Sequence, residues 1–366
     1  MPRKPRRSKS SAVSREHPHT PRIDIRDVAR RAGVSVATVS RTVNQVPTVN
    51  AELAARVQEA IRDLNYLPNT QARALVSGKS RLVGLLVPDI TNPFFPELIK
   101  CFERAVVERG YELLIGSTNY DSELQHTLRR MVERNVDGVA VMTFGVEDPV
   151  LDELSHRNIP MVFVDVSEAG FPQDVLLVNY RQGMVEAVEH LVRLGHREIG
   201  FVSGPLKEHS ALLRRQAFLS SIQSAGCTPR EAWIVEGDHR LEGGMNGMSA
   251  LLELPHAPTA VLCSNDITAI GALRTLQQRG LRVPHEMSLV GFDDIHLTEF
   301  VHPALTTVRM DQTEIATSAV RSLLSRIEDP GSRPTPQSYP ISTRLVVRET
   351  TAPPRPGVPG RSTEQG

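Results

Sequence analysis

The chain has 366 residues, of which 40% are hydrophobic and 23% are charged, and its formal net charge is zero. These values are typical of an ordinary soluble globular protein of two or three compact units, and they exclude a polycationic protein. No apolar run approaches the roughly 18 residues that a membrane span needs, and no hydrophobic stretch follows the basic N-terminus. Three widely spaced cysteines without metal-ligand spacing suit a reducing compartment. We therefore expect a cytoplasmic protein that has no membrane partner.

The two ends of the chain have the composition of disordered tails. Residues 1–22 are rich in Pro and Ser and carry an excess of Lys and Arg over a single acid, Glu16. This basic tail either adds non-specific phosphate contacts to DNA or only solubilises the protein. Residues 350–366 are rich in Pro and Gly and are also predicted to be disordered.

The stretch from Ile25 to Asn44 has the pattern of a helix-turn-helix. Val28 and Ala29 continue a helical face that begins at Ile25, and Gly33 breaks the pattern. A second short helix is expected behind Ser35, whose hydroxyl can accept hydrogen bonds from the free amides of its first turn. In a DNA-binding protein this second helix presents its N-terminal residues to the major groove, whereas a purely structural helical hairpin is the alternative.

A third helix and a linker follow. Apolar residues fall at helical spacing between Leu53 and Leu64 and can close a small core, so residues 23–67 are predicted to be an all-α domain. Pro68 ends that helix, and Asn69 can cap a short segment within residues 68–80. This segment is either a hinge helix that forms only when it is docked or a plain interdomain linker.

From residue 81 onward, short apolar strands alternate with helical segments as far as residue 349. Strands of this kind are buried on both faces, which indicates parallel sheets covered by helices. The number of units exceeds one ordinary sheet, so we predict an α/β core of two doubly wound subdomains. The N-terminal subdomain is placed at about 81–177 and 309–329, and the C-terminal subdomain at about 178–308 and 330–349.

Polar side chains directly follow several of the predicted strands, among them Asp89, Asp165, Asn265 and Asp293. The carboxyl ends of parallel strands are where such sheets bind ligands, although each residue alone is more typical of a loop or a helix cap. The aromatic pair Phe94–Phe95 stands close behind Asp89. Together these groups suit a small polar ligand such as a sugar or a nucleoside.

Enzyme and cofactor motifs are missing from the sequence. It contains no GxGxxG after a strand, no GxxxxGK[ST], no HExxH, no GxSxG and no Cys/His cluster with zinc spacing. We predict a protein that is not an enzyme and that needs neither a cofactor nor a metal.

The chain resembles the lactose/galactose repressor (LacI/GalR) family of bacterial transcription regulators. The resemblance covers about residues 23–349 and rests on DVARRAGVSVATVSRTVN, LNYLPNTQARALVSGKS, DITNPFF, LVRLGHREIGFVSGP, SNDITAIGAL and VGFDDI. It implies a DNA-binding headpiece, a hinge helix and a core similar to type I periplasmic sugar-binding proteins. It also implies a homodimer, or a tetramer built from it, that binds double-stranded, near-palindromic operator DNA. Repression is the commoner mode in the family and is the mode we predict.

Matched position by position, the resemblance implies DNA contacts from two segments. Val36 and Ala37 would read bases, and Leu75 would wedge into the minor groove and kink the duplex. The full set of implied DNA-binding residues is Ser35, Val36, Ala37, Thr38, Ser40, Arg41 and Asn44 in the headpiece, with Asn69, Ala72, Arg73 and Leu75 in the hinge.

The resemblance also implies an effector site in the core. Many sugar-binding relatives carry an arginine at the position of Leu212, whereas Arg214 here matches the arginine used in some relatives that do not bind sugars. His239 stands where relatives often have an aromatic residue. The implied effector-binding residues are Asp89, Phe94, Phe95, Asp165, Arg214, His239, Asn265 and Asp293. The predicted effector is a sugar or a sugar derivative; a nucleobase or a partner protein is the alternative within the family.

Two other functions remain to be weighed. A solute-binding protein of a transport system would share the core, but it needs a secretory signal and has no headpiece. An enzyme on a Rossmann-like sheet would need the phosphate-binding or catalytic motifs that are missing. The sequence therefore favours a transcription regulator that is controlled by a ligand.

Overall fold

A computed structural model describes residues 23–44, 46–67, 78–118, 121–142, 159–165, 173–329 and 335–355. The chain divides into two compact units, residues 1–80 and 81–366. None of the described helices is long and apolar enough to cross a lipid bilayer. Elements are numbered below in chain order over the described residues.

The described residues of the first unit form three helices, α1 (Ile25–Ala32), α2 (Val36–Val43) and α3 (Ala51–Asp63). Helix α1 begins with a capping box, in which the Asp24 side chain accepts from the backbone of Asp27 and the Asp27 side chain accepts from the backbone of Asp24. The Ser35 hydroxyl accepts from the amide of Thr38 at 3.1 Å and so begins α2. The helix-turn-helix expected from the sequence is therefore formed.

The three helices bury a core of small side chains. Val28, Val39 and Val57 come from α1, α2 and α3, and each is 0% exposed. Because the core is this small, the packing of each valine matters to the stability of the whole unit.

The second unit begins with the elements of an N-terminal subdomain. Parallel strands alternate with helices that cover the sheet. The elements are β1 (Leu82–Val87), α4 (Phe94–Val107), β2 (Glu112–Ser117), α5 (Asp121–Glu133), β3 (Gly138–Met142), β4 (Met161–Val164) and β5 (Asp174–Val178).

The C-terminal subdomain follows with the same alternation. Its elements are α6 (Tyr180–Arg193), β6 (Ile199–Ser203), α7 (His209–Ser224), β7 (Ile234–Glu236), α8 (Leu241–Leu252), β8 (Ala260–Cys263), α9 (Asp266–Gln278), β9 (Ser288–Asp293) and β10 (Thr306–Met310). Helix α8 begins at Leu241, and its first turns contain glycines, which are poor helix formers. Gly244 needs to lack a side chain there, since a Cβ would lie 2.0 Å from the carbonyl oxygen of Thr268 in α9.

Helix α10 (Gln312–Glu328) follows, and the strands β11 (Ser338–Ile341) and β12 (Thr343–Val346) then complete the two sheets. The strand order is β2-β1-β3-β4-β5-β11 in one sheet and β7-β6-β8-β9-β10-β12 in the other. All neighbours are parallel except β10 and β12, which are antiparallel. Each sheet is doubly wound, with its topological switch points beside β1 and β6. The predicted fold class is thus confirmed.

The division between the subdomains differs from the one expected at three places. Residue 178 ends β5 in the N-terminal sheet, although it was given to the C-terminal subdomain. Residues 309–310 belong to β10 in the C-terminal sheet, although the sequence analysis gave them to the N-terminal subdomain. Residues 338–341 form β11, which pairs with β5 in the N-terminal sheet, although they were given to the C-terminal subdomain. The cause is that β11 and β12 are short, half-exposed and joined by one residue, so no hydrophobic pattern marks the crossing between sheets.

The C-terminal tail also begins later than expected. Residues 350–355 were predicted to be disordered, but Thr350 is 0% exposed, and its hydroxyl donates to the carbonyl of Leu289 at 2.6 Å. His196 is 1% exposed, and its Nε2 lies 2.9 Å from the carbonyl oxygen of Ala352 in the same segment. Because Thr350, Thr351 and Ala352 all pair with groups distant in sequence, local composition did not reveal the packing.

Candidate DNA-reading surface and effector site

The residues expected to read DNA lie on the outer face of α2. Ser35, Val36, Ala37, Arg41 and Asn44 are exposed, with Val36 at 43%, whereas Thr38 and Ser40 are half-buried. Part of the apolar surface of Val36 therefore faces solvent at the start of α2 and is available to a partner.

The turn in front of α2 is held by a glycine and an arginine. Gly33 has φ +62°, and a Cβ at this position would lie 2.7 Å from Nη2 of Arg56. Nη2 of Arg56 donates to the carbonyls of Ala32 at 2.6 Å and of Gly33 at 3.2 Å. These bonds satisfy carbonyls at the end of α1 and fix the angle at which α2 leaves the turn.

In the core, Arg214 of α7 lies at the centre of the expected effector residues. It is 6% exposed, and its Nη2 donates to Oδ1 of Asp293 at 3.1 Å. Its Nη1 donates to the carbonyl of Ser264, at the end of β8. The guanidinium lies against the rings of Tyr180 and Phe292, 4.9 Å and 4.3 Å from their centroids.

Asp165, at the end of β4, reaches the same cluster through Tyr180. The Tyr180 hydroxyl donates to Oδ2 of Asp165 at 2.5 Å. Because β4 belongs to the N-terminal sheet and α6 packs in the C-terminal subdomain, this bond joins the two subdomains.

His239 and Asn265 form the next part of the site. Nδ1 of His239 lies 3.2 Å from the Ser264 hydroxyl, and Nδ2 of Asn265 donates to the carbonyl of His239 at 3.1 Å. Nε2 of His239 lies 3.5 Å from Oε2 of Glu208. His239 has φ +61°, a conformation disfavoured for a residue with a side chain. Strain of this kind is common at functional sites.

Burial governs the protonation of these groups. It raises the pKa of Asp293 to about 6, against the opposing effect of Arg214, and it lowers the pKa of His239 to about 3. Burial likewise raises the pKa of Asp165 and of Glu208. At pH 7 His239 is therefore neutral and Asp293 is ionised beside Arg214.

Asp89, Phe94 and Phe95 lie on the N-terminal side of the site. Oδ2 of Asp89 is 3.7 Å from Nη2 of Arg240, next to His239, which makes a second contact between the subdomains. Phe94 is 4% exposed in the hydrophobic core, and Phe95 is half-buried at its edge, 5.3 Å away between ring centroids. Phe94 is thus a core residue in this structure, and Phe95 is the more accessible of the two rings.

Sequence reasoning missed several members of the cluster. Tyr180, Ser264 and Phe292 each contact Arg214 or Asp165, and Glu208 contacts His239. Tyr180 carries the clearest signal, since it is the first helical residue after a buried strand. The implied hinge residues Asn69, Ala72, Arg73 and Leu75 lie outside the described residues. Over the described part of the chain, no group of three or more His, Cys, Asp or Glu side chains is arranged to hold a metal ion.

Two family models match the chain. Residues 24–69 match the bacterial regulatory proteins of the lacI family, and residues 188–351 match a periplasmic binding protein-like domain. The first match covers the helix-turn-helix and the second covers most of the C-terminal subdomain.

Relatives that match this chain over nearly their whole length span both of these parts. The HTH-type transcriptional repressor PurR of Escherichia coli O139:H28 is 37% identical over 331 residues, which are 90% of this chain and 96% of that protein. The lac repressor dimer bound to operator and the anti-inducer ONPF superposes with a TM-score of 0.80 at 29% identity, covering 90% of this chain and 99% of the other. The transcriptional regulator CelR in complex with cellobiose superposes with a TM-score of 0.68 at 27% identity, covering 90% of this chain and 100% of the other. The chain thus has a helix-turn-helix, a core of two doubly wound subdomains and similarity to these relatives along most of its sequence. It belongs to the lacI family of bacterial regulatory proteins.

Proposed function

We propose that the protein is a transcriptional repressor that binds a near-palindromic operator as a homodimer. A small polar effector that binds its core raises or lowers its affinity for DNA. The observation that carries the proposal is the presence in one chain of an exposed α2 face and of a buried polar cluster around Arg214 that joins two subdomains. The names of the relatives, a transcriptional repressor and the lac repressor, support repression and the dimer.

Readout of the operator would rest on shape and methyl contacts. Val36 and Ala37 are small and apolar, so they favour thymine methyl groups over hydrogen-bonded readout. Thr38, Ser40, Arg41 and Asn44 would support them, through polar contacts to bases and backbone. Leu75 would add specificity by wedging into a central step and kinking the duplex.

The effector would act by changing the relation between the two subdomains. The contacts Tyr180–Asp165 and Arg240–Asp89 each join one subdomain to the other, so a ligand bound among them favours one arrangement over another. The effector binds the two arrangements with different free energies, and this difference sets the coupling free energy between effector binding and DNA binding.

A sugar or a sugar derivative is the effector class that we propose. Carboxylates, amides and a guanidinium that meet beside aromatic rings suit a molecule with several hydroxyl groups. Two similar structures hold sugars, the cellobiose complex of CelR and a regulator from Enterococcus faecium with bound ribose, which superposes with a TM-score of 0.67 at 27% identity and covers 74% of this chain and 99% of the other. A binding protein without enzymatic activity is the role that follows.

Selection of operators from random DNA tests the proposal. The purified chain should enrich a near-palindromic sequence at moderate salt, and Val36→Ser with Ala37→Ser should change the enriched bases. The matched control is Ala51→Ser, an exposed position at the start of α3. Failure to enrich any sequence, with and without candidate sugars, would refute sequence-specific repression. Leu75→Ala should weaken specific binding while non-specific binding persists.

A further inference from the structure

The side chain of Glu208 is a half-buried acceptor that makes no hydrogen bond within the described part of the chain to explain its position. It stands at the N-cap position of α7, yet it makes no capping hydrogen bond to that helix. Its side chain is only 23% exposed, and its Oε2 lies 3.5 Å from Nε2 of His239. Removing a carboxylate from water without strong hydrogen-bond partners costs free energy, and a hydrogen-bond donor on a ligand would offset that cost.

His239 does not neutralise Glu208. Burial lowers the pKa of His239 to about 3, so the ring is neutral at pH 7 and offers Glu208 at most one weak N–H bond. The ring cannot move closer without loss of its other contacts, because it packs on Gly204, where a Cβ would lie 2.0 Å from Nε2.

The nearby guanidinium groups are already engaged. Arg214 and Arg240 both lower the pKa of Glu208, and they are its cationic neighbours from α7 and from the loop before α8, together with the exposed Lys207. Arg214 pairs with Asp293, and Arg240 pairs with Asp89. The site thus contains the carboxylates Asp89, Asp165, Glu208 and Asp293 against the cations Arg214, Arg240 and Lys207, and this excess of one acidic group disfavours an anionic ligand.

A second observation concerns Arg214, which belongs to the same cluster: Glu208 contacts His239, His239 contacts Ser264, and the carbonyl of Ser264 accepts from Arg214. Arg214 is 6% exposed, and among the described residues its Nε is one of two buried side-chain polar atoms without a hydrogen-bond partner. An unpaired buried donor is rare in folded proteins. An acceptor atom on a bound molecule would satisfy it.

We propose that Glu208 is a specificity-determining acceptor for an amino group, so that the effector is an amino sugar that offers a hydroxyl acceptor near Arg214 and a protonated amine toward Glu208. Neutral sugars bind more weakly, and sugar phosphates are excluded by the surrounding carboxylates. This inference rests on the proposed function, because it assumes that the core binds an effector.

The experiment measures ligand binding to the full chain without DNA. D-Glucose, D-galactose and D-mannose are each compared with their 2-amino and 6-phosphate forms by thermal shift and calorimetry at pH 7.5. At least one amino sugar should bind about tenfold or more tightly than its parent, because a hydrogen bond to a charged group gives differences of that order. The corresponding 6-phosphate should give no shift.

Variants assign the preference to Glu208. In Glu208→Gln the ratio of the affinity for the amino form to the affinity for the parent sugar should fall to about one, whereas Glu208→Asp, which keeps the charge, should retain part of the preference. The matched control is Glu253→Gln, a substitution at an exposed carboxylate of the same subdomain. The melting temperature without ligand verifies that each variant is folded.

The inference is overturned if a parent sugar or a 6-phosphate binds most tightly, if Glu208→Gln weakens both forms equally, or if no amino sugar binds. Because no DNA is present, these results are separate from the operator selection. Amino-sugar binding without operator selection would refute the proposed repressor and leave the Glu208 assignment standing. Operator selection without amino-sugar binding would refute the Glu208 assignment and leave the proposed repressor standing.

Discussion

Removing the charge of Asp293 should destabilise the C-terminal subdomain severely. The side chains of Arg214 and Asp293 are 7% and 5% exposed, and the atoms that pair are 3.1 Å apart, so solvent screening is weak. Asp293→Asn leaves the guanidinium buried opposite a neutral amide. Breaking a buried pair in this way costs about 3–5 kcal/mol in free energy of unfolding.

The two partners are not equivalent, and the difference can be measured. In Arg214→Met, the carboxyl group left behind can take up a proton, because burial already raises the pKa of Asp293 to about 6. An arginine left behind cannot become neutral. Arg214→Met should therefore cost less than Asp293→Asn, and the gap should widen from pH 7.5 to pH 5.5. The double variant Arg214→Met/Asp293→Leu should be close to wild type, since buried pairs replaced by apolar groups of similar volume are often neutral or stabilising.

Urea unfolding followed by tryptophan fluorescence is the assay. Trp233 is the single tryptophan of the chain and is 3% exposed in the C-terminal subdomain, so the signal reports on the unit that holds the pair. A cost below about 1 kcal/mol for Asp293→Asn, or a double variant as unstable as the sum of the single ones, would refute the account of a tightly coupled buried pair.

Three further predictions follow from other contacts. Gly33→Ala should destabilise the headpiece by more than the roughly 1–2 kcal/mol of a positive φ alone, because its Cβ displaces the Arg56 guanidinium from the carbonyls of Ala32 and Gly33; hydrogen exchange over α1–α3 measures the loss. Arg240→Ala should change stability by less than about 0.5 kcal/mol, since the pair with Asp89 is largely exposed, yet it should weaken effector binding in calorimetry by loosening a contact between subdomains. Burial lowers the pKa of His196, so its contribution to stability is present above pH 6.5 and is lost as the pH falls below that value; urea midpoints at pH 7.5 and 5.5 should differ less in His196→Gln than in wild type.

Each of these has a result that contradicts it. Gly226→Ala is the control for the headpiece variant, because Gly226 has φ +72° with no atom near its would-be Cβ; equal losses at both glycines would remove the role of the guanidinium. An Arg240→Ala protein with unchanged effector affinity would show that the ion pair does not assist closure. An unchanged pH response in His196→Gln would show that another group controls acid stability.

The headpiece could be predicted from sequence because its determinants are local. Ser35 caps the helix whose first turn it precedes, and Gly33 takes the positive φ that its turn requires. Both signals lie within a few residues of the structure they cause. The two sheets were predictable for a similar reason, since buried parallel strands read as continuous apolar runs.

The candidate effector site was predictable only in part because its contacts are distant in sequence. Asp165 and Asp293 were expected from their positions after strands. Their partners, Tyr180 and Arg214, lie on helices that the fold carries back to the strand ends. Glu208 was missed because a glutamate at a helix N-terminus is ordinarily a surface residue, and only the three-dimensional structure withdraws it from solvent.

The chain crosses between its subdomains three times, near residues 179, 311 and 342, and the crossings are tied together. The Thr343 hydroxyl accepts from the amide of Gly183 at 2.9 Å and donates to the carbonyl of Asn179 at 2.6 Å. A Cβ on Gly183 would lie 2.2 Å from Val308. Neither subdomain is therefore a single stretch of gene, and exchanging one of them with a relative needs three junctions that still fit one another. The headpiece, in contrast, ends in one linker. Recombination can pass DNA specificity from protein to protein with a single cut, whereas the effector response has to be inherited as one block.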